Sequence, residues 1–393
     1  MLANMALEEK ALVDGAVAQL REMLPPTWTV EPANRAFTGA AGAQPKTWAD
    51  CAIDLRSPHG GMTTFAVEAK SSFDPRSAEQ LLAGLAGVLR GLGGGPPILA
   101  IAPWMSSRTQ GLLAKEGINY LDLTGNARIA LDHPPLYIRF SGATRNPQPA
   151  PRARASVRGP KAARVIRLLL DVAPPYGLGE IAAATGLAPG YVSRLLETLD
   201  REALIERARR GPVETVDIPG LIRRWAESYD VLRTNRTSMF LGRQPMSGLV
   251  STLQWLSEGA APVAVTGSFA AALVAPVASS TLLLAYCDDV ATAAEGMGLL
   301  PAREGANVIL LSPFDPVVWE RGREELGVRF VAYSQAVVDC LTGTGRMPAE
   351  GEALLEWMMA DESRWRLPSL GERPKRPQRL VLPEGPERAA QRL

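Results

Sequence analysis

The spacing of apolar residues along the first 141 positions predicts alternating helices and strands. Leu12, Val17 and Leu20 fall near one face of a helix that opens the chain. Two apolar runs, 51–57 and 62–70, flank a Pro-His-Gly-Gly turn and predict a strand hairpin. The elements predicted after this hairpin are a helix at 78–92, a strand at 98–102, a helix at 107–115 and strands at 120–123 and 128–131. This order predicts a mixed sheet with helices on its faces.

Breaks in composition divide the rest of the chain. Residues 142–160 are rich in Pro, Ala and Arg and lack hydrophobic periodicity, which indicates a basic linker. Residues 161–235 have a helical pattern, and 236–365 alternate between strand and helix patterns. Turn residues and charges dominate 366–393, which we expect to be a flexible tail. The chain is therefore predicted to be a multidomain α/β protein with its first domain at 1–141.

Composition and charge narrow the classes of function. A length of 393 residues exceeds what one hydrophobic core supports, which agrees with several domains. The formal net charge of +1 excludes a uniformly basic surface, so any site for a polyanion must be a local patch. The three cysteines are far apart and the chain has two histidines. A disulfide framework, a cysteine zinc site and histidine-rich metal chemistry are therefore not expected.

One uncharged stretch, 259–287, is long enough to cross a bilayer. Pro262 and Gly267 interrupt it, and it divides better into a strand at 263–266, a short helix and a buried strand at 282–286. Charged residues among the first ten positions argue against a signal peptide. We expect a cytoplasmic protein with no membrane contact, and a membrane span remains the alternative for this stretch.

A carboxylate and a lysine end the second strand of the predicted hairpin. Glu68 and Lys70 are two positions apart, so they project from the same face of the strand. The turn is centred between His59 and Gly60, which places Asp50 about opposite Glu68. Two carboxylates at this distance can hold one Mg²⁺, and a nearby lysine can stabilise a nucleophilic water or the charge of a transition state.

This arrangement resembles the PD-(D/E)XK nuclease fold, in which an acid, a strand hairpin and an E-x-K sequence follow in this order. The resemblance implies a restriction-endonuclease-like mixed sheet with Asp50, Glu68 and Lys70 as catalytic residues. It also implies Asp50 and Glu68 as metal ligands and Gln80, in the next helix, as a supporting residue. Asp54 is an alternative acid if the hairpin register differs. A solvated polar cluster, or an inactive remnant of such a site, is the other interpretation.

A helix-turn-helix pattern follows the linker. Helices are predicted at 161–172, before Gly186 and at 191–202, and a two-stranded wing is predicted at 205–216. The apolar residues predicted to lock the last two helices together are Ile181, Ala182, Leu187, Val192, Leu195, Leu196 and Leu199. The pattern resembles the winged helix-turn-helix of MarR-like bacterial regulators, which implies a recognition helix for the major groove of DNA.

The outward-facing residues of this motif are the candidates for DNA contact. They are Tyr191, Ser193 and Arg194 for base edges, and Arg158, Lys161, Arg207, Arg209 and Arg210 for phosphates and the wing. From position 145 to 210 the chain has twelve Lys and Arg against six Asp and Glu, a local balance of +6. We therefore expect double-stranded DNA as a partner and a homodimer. The alternative is a winged helix used for dimerisation or protein contact.

The strand at 263–266, followed by Gly267 and Ser268, resembles the start of nucleotidyltransferase folds and implies a C-terminal α/β domain of that type. Those enzymes need a metal-binding pair of acids on the next strand. Here the next acids, Asp288 and Asp289, are adjacent and follow the strand. A working two-metal site is therefore not expected.

Several loose motifs in a fixed order resemble the AbiEi-type antitoxin group. They are the run EGINYLDLTGN at 116–126, the winged helix, the Thr-Gly-Ser strand end and the ending that contains Ser334, Asp339 and Gly345. The resemblance implies a winged-helix regulator of a toxin–antitoxin locus with a toxin protein as a possible partner. We therefore expect a sequence-specific DNA-binding transcriptional regulator that needs no cofactor. The alternative is a Mg²⁺-dependent DNA endonuclease directed by its winged helix. The chain would be an enzyme under this alternative alone.

Overall fold

Two units make up the chain, and they divide it differently from the predicted domains. The first contains residues 1–153 together with 198–203, and the second contains 154–197 and 204–393. The winged helix and the C-terminal α/β segment thus fall largely in one unit. The computed structural model describes residues 2–33, 38–39, 46–47, 49, 51–91, 95–147, 156–208, 211–243, 263–277, 279–325 and 327–371.

The first unit is built on a mixed sheet. Its helices are α1 (Leu2–Met23), α2 (Pro75–Gly91) and α3 (Ser107–Lys115). Its strands are β1 (Thr29–Ala33), β2 (Thr38–Gly39), β3 (Lys46–Thr47), β4 (Cys51–Arg56), β5 (Met62–Ala69), β6 (Ile98–Ala102), β7 (Asn119–Asp122), β8 (Ala127–Leu131) and β9 (Leu136–Phe140). The main sheet has the order β1-β4-β5-β6-β7-β8-β9, with β5, β6 and β7 parallel and the other neighbours antiparallel.

Helices cover both faces of this sheet. Leu12 and Leu20 of α1 are buried in one apolar cluster with Phe65 of β5. On the opposite face, Leu113 of α3 is buried in a second cluster with Tyr120 of β7. The three-layer arrangement follows from the alternation of the strands, because successive side chains point to opposite faces.

The mixed α/β architecture expected from the sequence is confirmed. Strand β6 and helix α3 have the predicted bounds, and β4 and β5 form the predicted hairpin. The register pairs Cys51 with Val67, which centres the turn on His59 rather than between His59 and Gly60. Strands β1 and β9 were not predicted from the sequence.

The second unit begins with helices and continues into a second mixed sheet. Its helices are α4 (Pro160–Asp171), α5 (Leu178–Thr185), α6 (Pro189–Arg201), α7 (Ile218–Ala226), α8 (Val231–Thr234), α9 (Gly267–Ala272), α10 (Val290–Gly296), α11 (Tyr333–Leu341) and α12 (Met347–Ala360). Its strands are β10 (Ile205–Arg207), β11 (Val213–Val216), β12 (Arg236–Leu241), β13 (Val263–Thr266), β14 (Leu283–Cys287), β15 (Leu300–Pro301), β16 (Val308–Ser312), β17 (Arg323–Glu325) and β18 (Val328–Phe330).

The large sheet of this unit has the order β15-β12-β16-β14-β13-β18-β17. It includes the uncharged stretch, whose described residues form strand β13, helix α9 and strand β14, as predicted. In the part of the chain that the structure describes, no helix combines the length and the apolar character needed to cross a membrane.

Two segments assigned to the linker and the tail are in fact bonded to the units beside them. The Gly142 amide donates to the Asn126 side chain at 2.8 Å. Leu367 N–H donates to the Asp171 carbonyl at 2.8 Å, and Arg366 is buried. Composition does not show which backbone groups find partners, so these contacts were not expected, and the boundaries at 142 and 366 stay predictions. Residues 148–155 and 372–393 lie outside the described residues.

Candidate nucleic-acid interface

Local sequence features determine where the helices of the helix-turn-helix in the second unit begin and end. The Gly177 amide donates to Glu180 Oε2 at 2.6 Å, which satisfies a free N–H at the start of α5. Gly186 ends α5 with a left-handed φ of 65°. All seven apolar residues predicted to lock α5 against α6 are buried. The turn and the apolar contacts together fix α6 relative to α5.

The outward face of α6 contains the residues predicted to contact base edges. Arg194 is exposed, and Tyr191 and Ser193 are half-buried. Burial raises the pKa of Tyr191 while the charge of Arg194 acts in the opposite direction, so the phenol is protonated at neutral pH. The helix therefore presents a cation and two hydroxyl groups, which can hydrogen-bond to base edges and phosphates.

The remaining basic candidates lie at the start of α4 and in the wing. Arg158 and Lys161 are exposed, and Arg207 at the end of β10 is half-buried. Strands β10 and β11 form the antiparallel hairpin of the wing. Arg209 and Arg210 lie outside the described residues.

Arg167, counted in the local basic excess, is fully buried and points away from solvent. Its guanidinium donates to Asp171 Oδ2 at 3.1 Å and to the Gln335 side-chain oxygen at 3.1 Å. It also donates to the backbone carbonyls of Val317 at 3.1 Å and Glu320 at 2.7 Å. This arginine stabilises the contact between α4 and the C-terminal sheet, and it does not contribute to the interface.

Arg164, one turn earlier on α4, is also paired. Its guanidinium forms an ion pair with Asp315 at 2.9 Å, and this hydrogen bond raises the pKa of Arg164. The local balance of +6 therefore overstates the charge that DNA would meet. The sequence could not show this, because the acidic partner lies 151 positions away.

Buried polar residues extend this contact into the core, and sequence reasoning missed them. Gln335 donates to Asp339 Oδ1 at 2.9 Å, and the same carboxylate accepts from Tyr229 at 2.7 Å and from Thr266 at 2.6 Å. Burial raises the pKa of Asp339 to about 6, although these hydrogen bonds lower it. The signal available in the sequence was the i, i+4 spacing of Gln335 and Asp339, which places them on one face of an otherwise apolar helix.

The carboxylate–lysine pair of the first unit is present at the end of β5. Lys70 Nζ lies 3.2 Å from Glu68 Oε1 and 5.3 Å from the centre of the Phe73 ring. Gln80 is exposed on α2, and Asp50 lies outside the described residues. The structure thus brings together two of the four residues predicted for a nuclease site.

The alternative acid, Asp54, is not brought to Glu68. It lies opposite Thr64, whose hydroxyl donates to it at 2.6 Å. Thr64 precedes Glu68 by four positions, which is about 13 Å along a strand. Among the described residues, which do not include Asp50, no group of three or more His, Cys, Asp or Glu side chains could hold a metal ion.

The acids after β14 have a structural role. Asp288 and Asp289 are exposed, and Asp289 accepts hydrogen bonds from the backbone N–H of Thr292 at 3.0 Å and from its hydroxyl at 2.7 Å. These bonds lower the pKa of Asp289 and cap the start of α10.

Helices α4, α5 and α6 with the wing define a winged helix-turn-helix protein. Residues 160–209 match the family described as the IclR helix-turn-helix domain, which covers these helices and β10. The matched type is IclR, whereas the sequence resemblance pointed to MarR-like regulators. No curated protein and no solved structure matches the chain. The match supports a DNA-binding transcriptional regulator.

Proposed function

We propose that the protein is a sequence-specific DNA-binding transcriptional regulator that reads the major groove with α6. The observation that carries this proposal is the exposed Arg194 beside Tyr191 and Ser193, within the segment that matches the IclR helix-turn-helix domain. Exposed Arg158 and Lys161 are available to orient the motif through phosphate contacts. We propose the cytoplasm as its location, because its proposed target is DNA.

The test is binding of the full chain to its own upstream DNA, measured by gel shift and fluorescence anisotropy. Arg194→Ala should weaken binding by about 1–3 kcal/mol, the usual contribution of one specific base contact. Arg329→Ala, which removes an exposed arginine from β18, is the matched control. Equal binding by wild type and Arg194→Ala would show that α6 is not the reading surface.

We further propose a homodimer and an antitoxin-like role in regulating its own promoter. A two-fold dimer would present two copies of α6 to two half-sites, about one helical turn of DNA apart. Sedimentation of the purified chain with and without DNA tests the dimer. Co-expression with the product of a neighbouring gene tests the toxin partner, and a stable complex that releases the promoter would support it.

A Mg²⁺-dependent endonuclease is the second candidate, and the contact between Glu68 and Lys70 favours it. We propose that the first unit is PD-(D/E)XK-like, with Glu68 and Asp50 as metal ligands and Lys70 beside the reacting phosphate. Bound Mg²⁺ would activate a water and stabilise charge at that phosphate. Lys70 forms an ion pair with Glu68. Its ammonium is therefore held beside the proposed metal ligand, where it could stabilise an anionic transition state.

Nicking of plasmid and upstream DNA with Mg²⁺ or Mn²⁺ tests this alternative. Asp50→Ala and Lys70→Ala should abolish cleavage, while Asp54→Ala should retain it. Absence of cleavage by wild type removes the enzyme hypothesis and leaves the regulator in place.

The large sheet of the second unit supports one further proposal about fold. Strand β13, Gly267 and Ser268 of α9 and strand β14 follow in the order of a nucleotidyltransferase-like domain. Because Asp289 caps a helix, we propose that this domain is degenerate and does not hold two metal ions.

A further inference from the structure

Two arginines lie directly opposite each other at the edge of the first sheet. Arg128 of β8 pairs with Arg139 of β9, and the neighbouring pair is Ile129 with Ile138. Both isoleucines are buried in the apolar cluster beneath α1. Because successive residues of a strand alternate between faces, the two arginines share the opposite face.

This arginine pair has no charge partner. Like charges directly opposite on adjacent strands are destabilising. Among the residues that the structure describes, neither guanidinium forms an ion pair or a side-chain hydrogen bond, and Nη1 of Arg128 is buried without an acceptor. An anion from outside the chain that meets the exposed Arg139 would offset the repulsion between the two like charges.

The carboxylate of Asp122, two positions after Tyr120 on β7, is already committed to other partners. Asp122 is buried, and its two oxygens accept from the Met105 amide and from the amides and side chains of Thr124 and Asn126. These bonds hold the turn between β7 and β8. Asp122 therefore contributes background charge to this face but no hydrogen-bond acceptor for the arginines.

Two tyrosines flank the pair. Tyr120 lies opposite Arg128 on β7, and the charges of Arg139 and Arg128 oppose the rise in the pKa of Tyr120 that burial causes. Tyr137, two positions before Arg139 and on the same face, is 66% exposed. The exposed Tyr137 ring therefore lies beside Arg139 on the solvent-facing part of the edge strand.

We propose that Arg128 and Arg139 bind a phosphate group of the DNA backbone, at a site separate from α6. Their Cβ atoms are about 5 Å apart, as in any directly opposed pair, so two planar guanidiniums can donate to oxygens of one phosphate. Arg139 and Tyr137 are exposed on the edge strand β9, whereas small anions are usually held in concave pockets. An extended polyanion therefore fits it better than a small phosphorylated molecule. The inference rests on the proposed DNA binding.

The experiment measures binding of the full chain to its upstream DNA by fluorescence anisotropy over a series of KCl concentrations. Arg139→Gln should weaken binding about tenfold and reduce the slope of log Kd against log salt by about one, because one phosphate contact is lost. Arg139→Lys, which retains the charge, should recover part of the affinity. Arg56→Gln, which removes an exposed arginine at the end of β4, is the matched control and should bind as wild type does.

Arg128→Gln should have the same effect on binding, and circular dichroism verifies that each variant is folded. If both glutamine variants match Arg56→Gln in affinity and salt slope while wild type binds DNA, this inference is wrong and the proposed function stands. If wild type binds no DNA, both are wrong. In a further outcome, inorganic phosphate raises the Tm of wild type but not of Arg139→Gln, while this variant binds DNA as wild type does. That result would assign the site to free phosphate and overturn the DNA assignment.

Discussion

The buried guanidinium of Arg167 donates a hydrogen bond to the side-chain oxygen of Gln335, 168 positions further along the chain, at 3.1 Å. Arg167 lies on the first helix of the winged helix-turn-helix, and Gln335 lies on α11 against the C-terminal sheet. The helix that supports the DNA-reading motif is therefore held by the second half of its unit.

Removing this guanidinium should be strongly destabilising. Arg167→Ala leaves Asp171 Oδ2 and two backbone carbonyls buried without this donor, and we expect a loss of about 3–5 kcal/mol in the free energy of unfolding. Arg164→Ala removes the neighbouring, partly exposed arginine and should cost about 1 kcal/mol. Urea denaturation of both variants checks this, and equal losses would contradict a special role for the buried group.

Asp339 should make stability depend on pH. Its pKa is raised from 3.8 to about 6 in the folded protein, so the folded state binds the proton more tightly than the unfolded state. The free energy of unfolding should therefore fall as pH rises from the unfolded to the folded pKa, by about 3 kcal/mol from this group, and then remain level.

Asp339→Asn is the variant that isolates this effect, because an amide does not titrate. The difference in unfolding free energy between wild type and variant, measured below, between and above the two pKa values, should change over that interval. A difference that is constant with pH would contradict the assignment of the raised pKa to Asp339.

Gly142 should not tolerate a side chain. A Cβ atom built on it would lie 2.1 Å from the carbonyl oxygen of Thr124 and 2.7 Å from the backbone nitrogen of Asn126. Gly142→Ala should therefore cost about 2 kcal/mol or more, because backbone atoms must move. Gly111→Ala, in open space on α3, should instead stabilise the protein by about 0.5–1 kcal/mol. Thermal melting distinguishes these opposite signs.

The effect of substituting Gly186, in the turn between α5 and α6, should come from its backbone conformation alone. Gly186 has a φ of 65°, and a Cβ atom added to it would have no neighbouring atom within 4 Å, so Gly186→Ala introduces strain without a clash. We expect a loss of about 1–2 kcal/mol for alanine and a smaller one for asparagine, which tolerates this region better. Denaturation curves for the two variants that coincide with wild type would show that the left-handed conformation is not required.

The sequence predicted those parts of the fold whose signals are local. Ser106 caps α3 by accepting from the Thr109 amide, and α3 begins and ends where the pattern indicated. The apolar spacing of α5 and α6 likewise predicted which side chains are buried and which face outward. Periodicity and capping depend on residues a few positions apart, so a single sequence contains them.

Contacts between residues far apart along the chain could not be predicted from the sequence. Arg164 and Arg167 were counted in the local basic excess, although both donate to acceptors about 150 positions away, Asp315 and Val317. The pairing of Arg128 with Arg139 follows from the register of β8 and β9, and β9 itself was not predicted. Of the candidate site, the residue types were visible in the sequence, but their partners were not.

The acceptors of Arg167 also bear on how this regulator can change its target through evolution or engineering. Exchanging winged helices between regulators is a direct way to alter DNA specificity. It requires a winged helix whose stability does not depend on contacts with the rest of its chain. A winged helix taken from another regulator would need a cation that donates to the carbonyls of Val317 and Glu320. Otherwise, apolar residues would have to replace both Arg167 and Asp171. Under the proposed function, new specificity is therefore more accessible through substitutions on the outer face of α6 than through replacement of the whole motif.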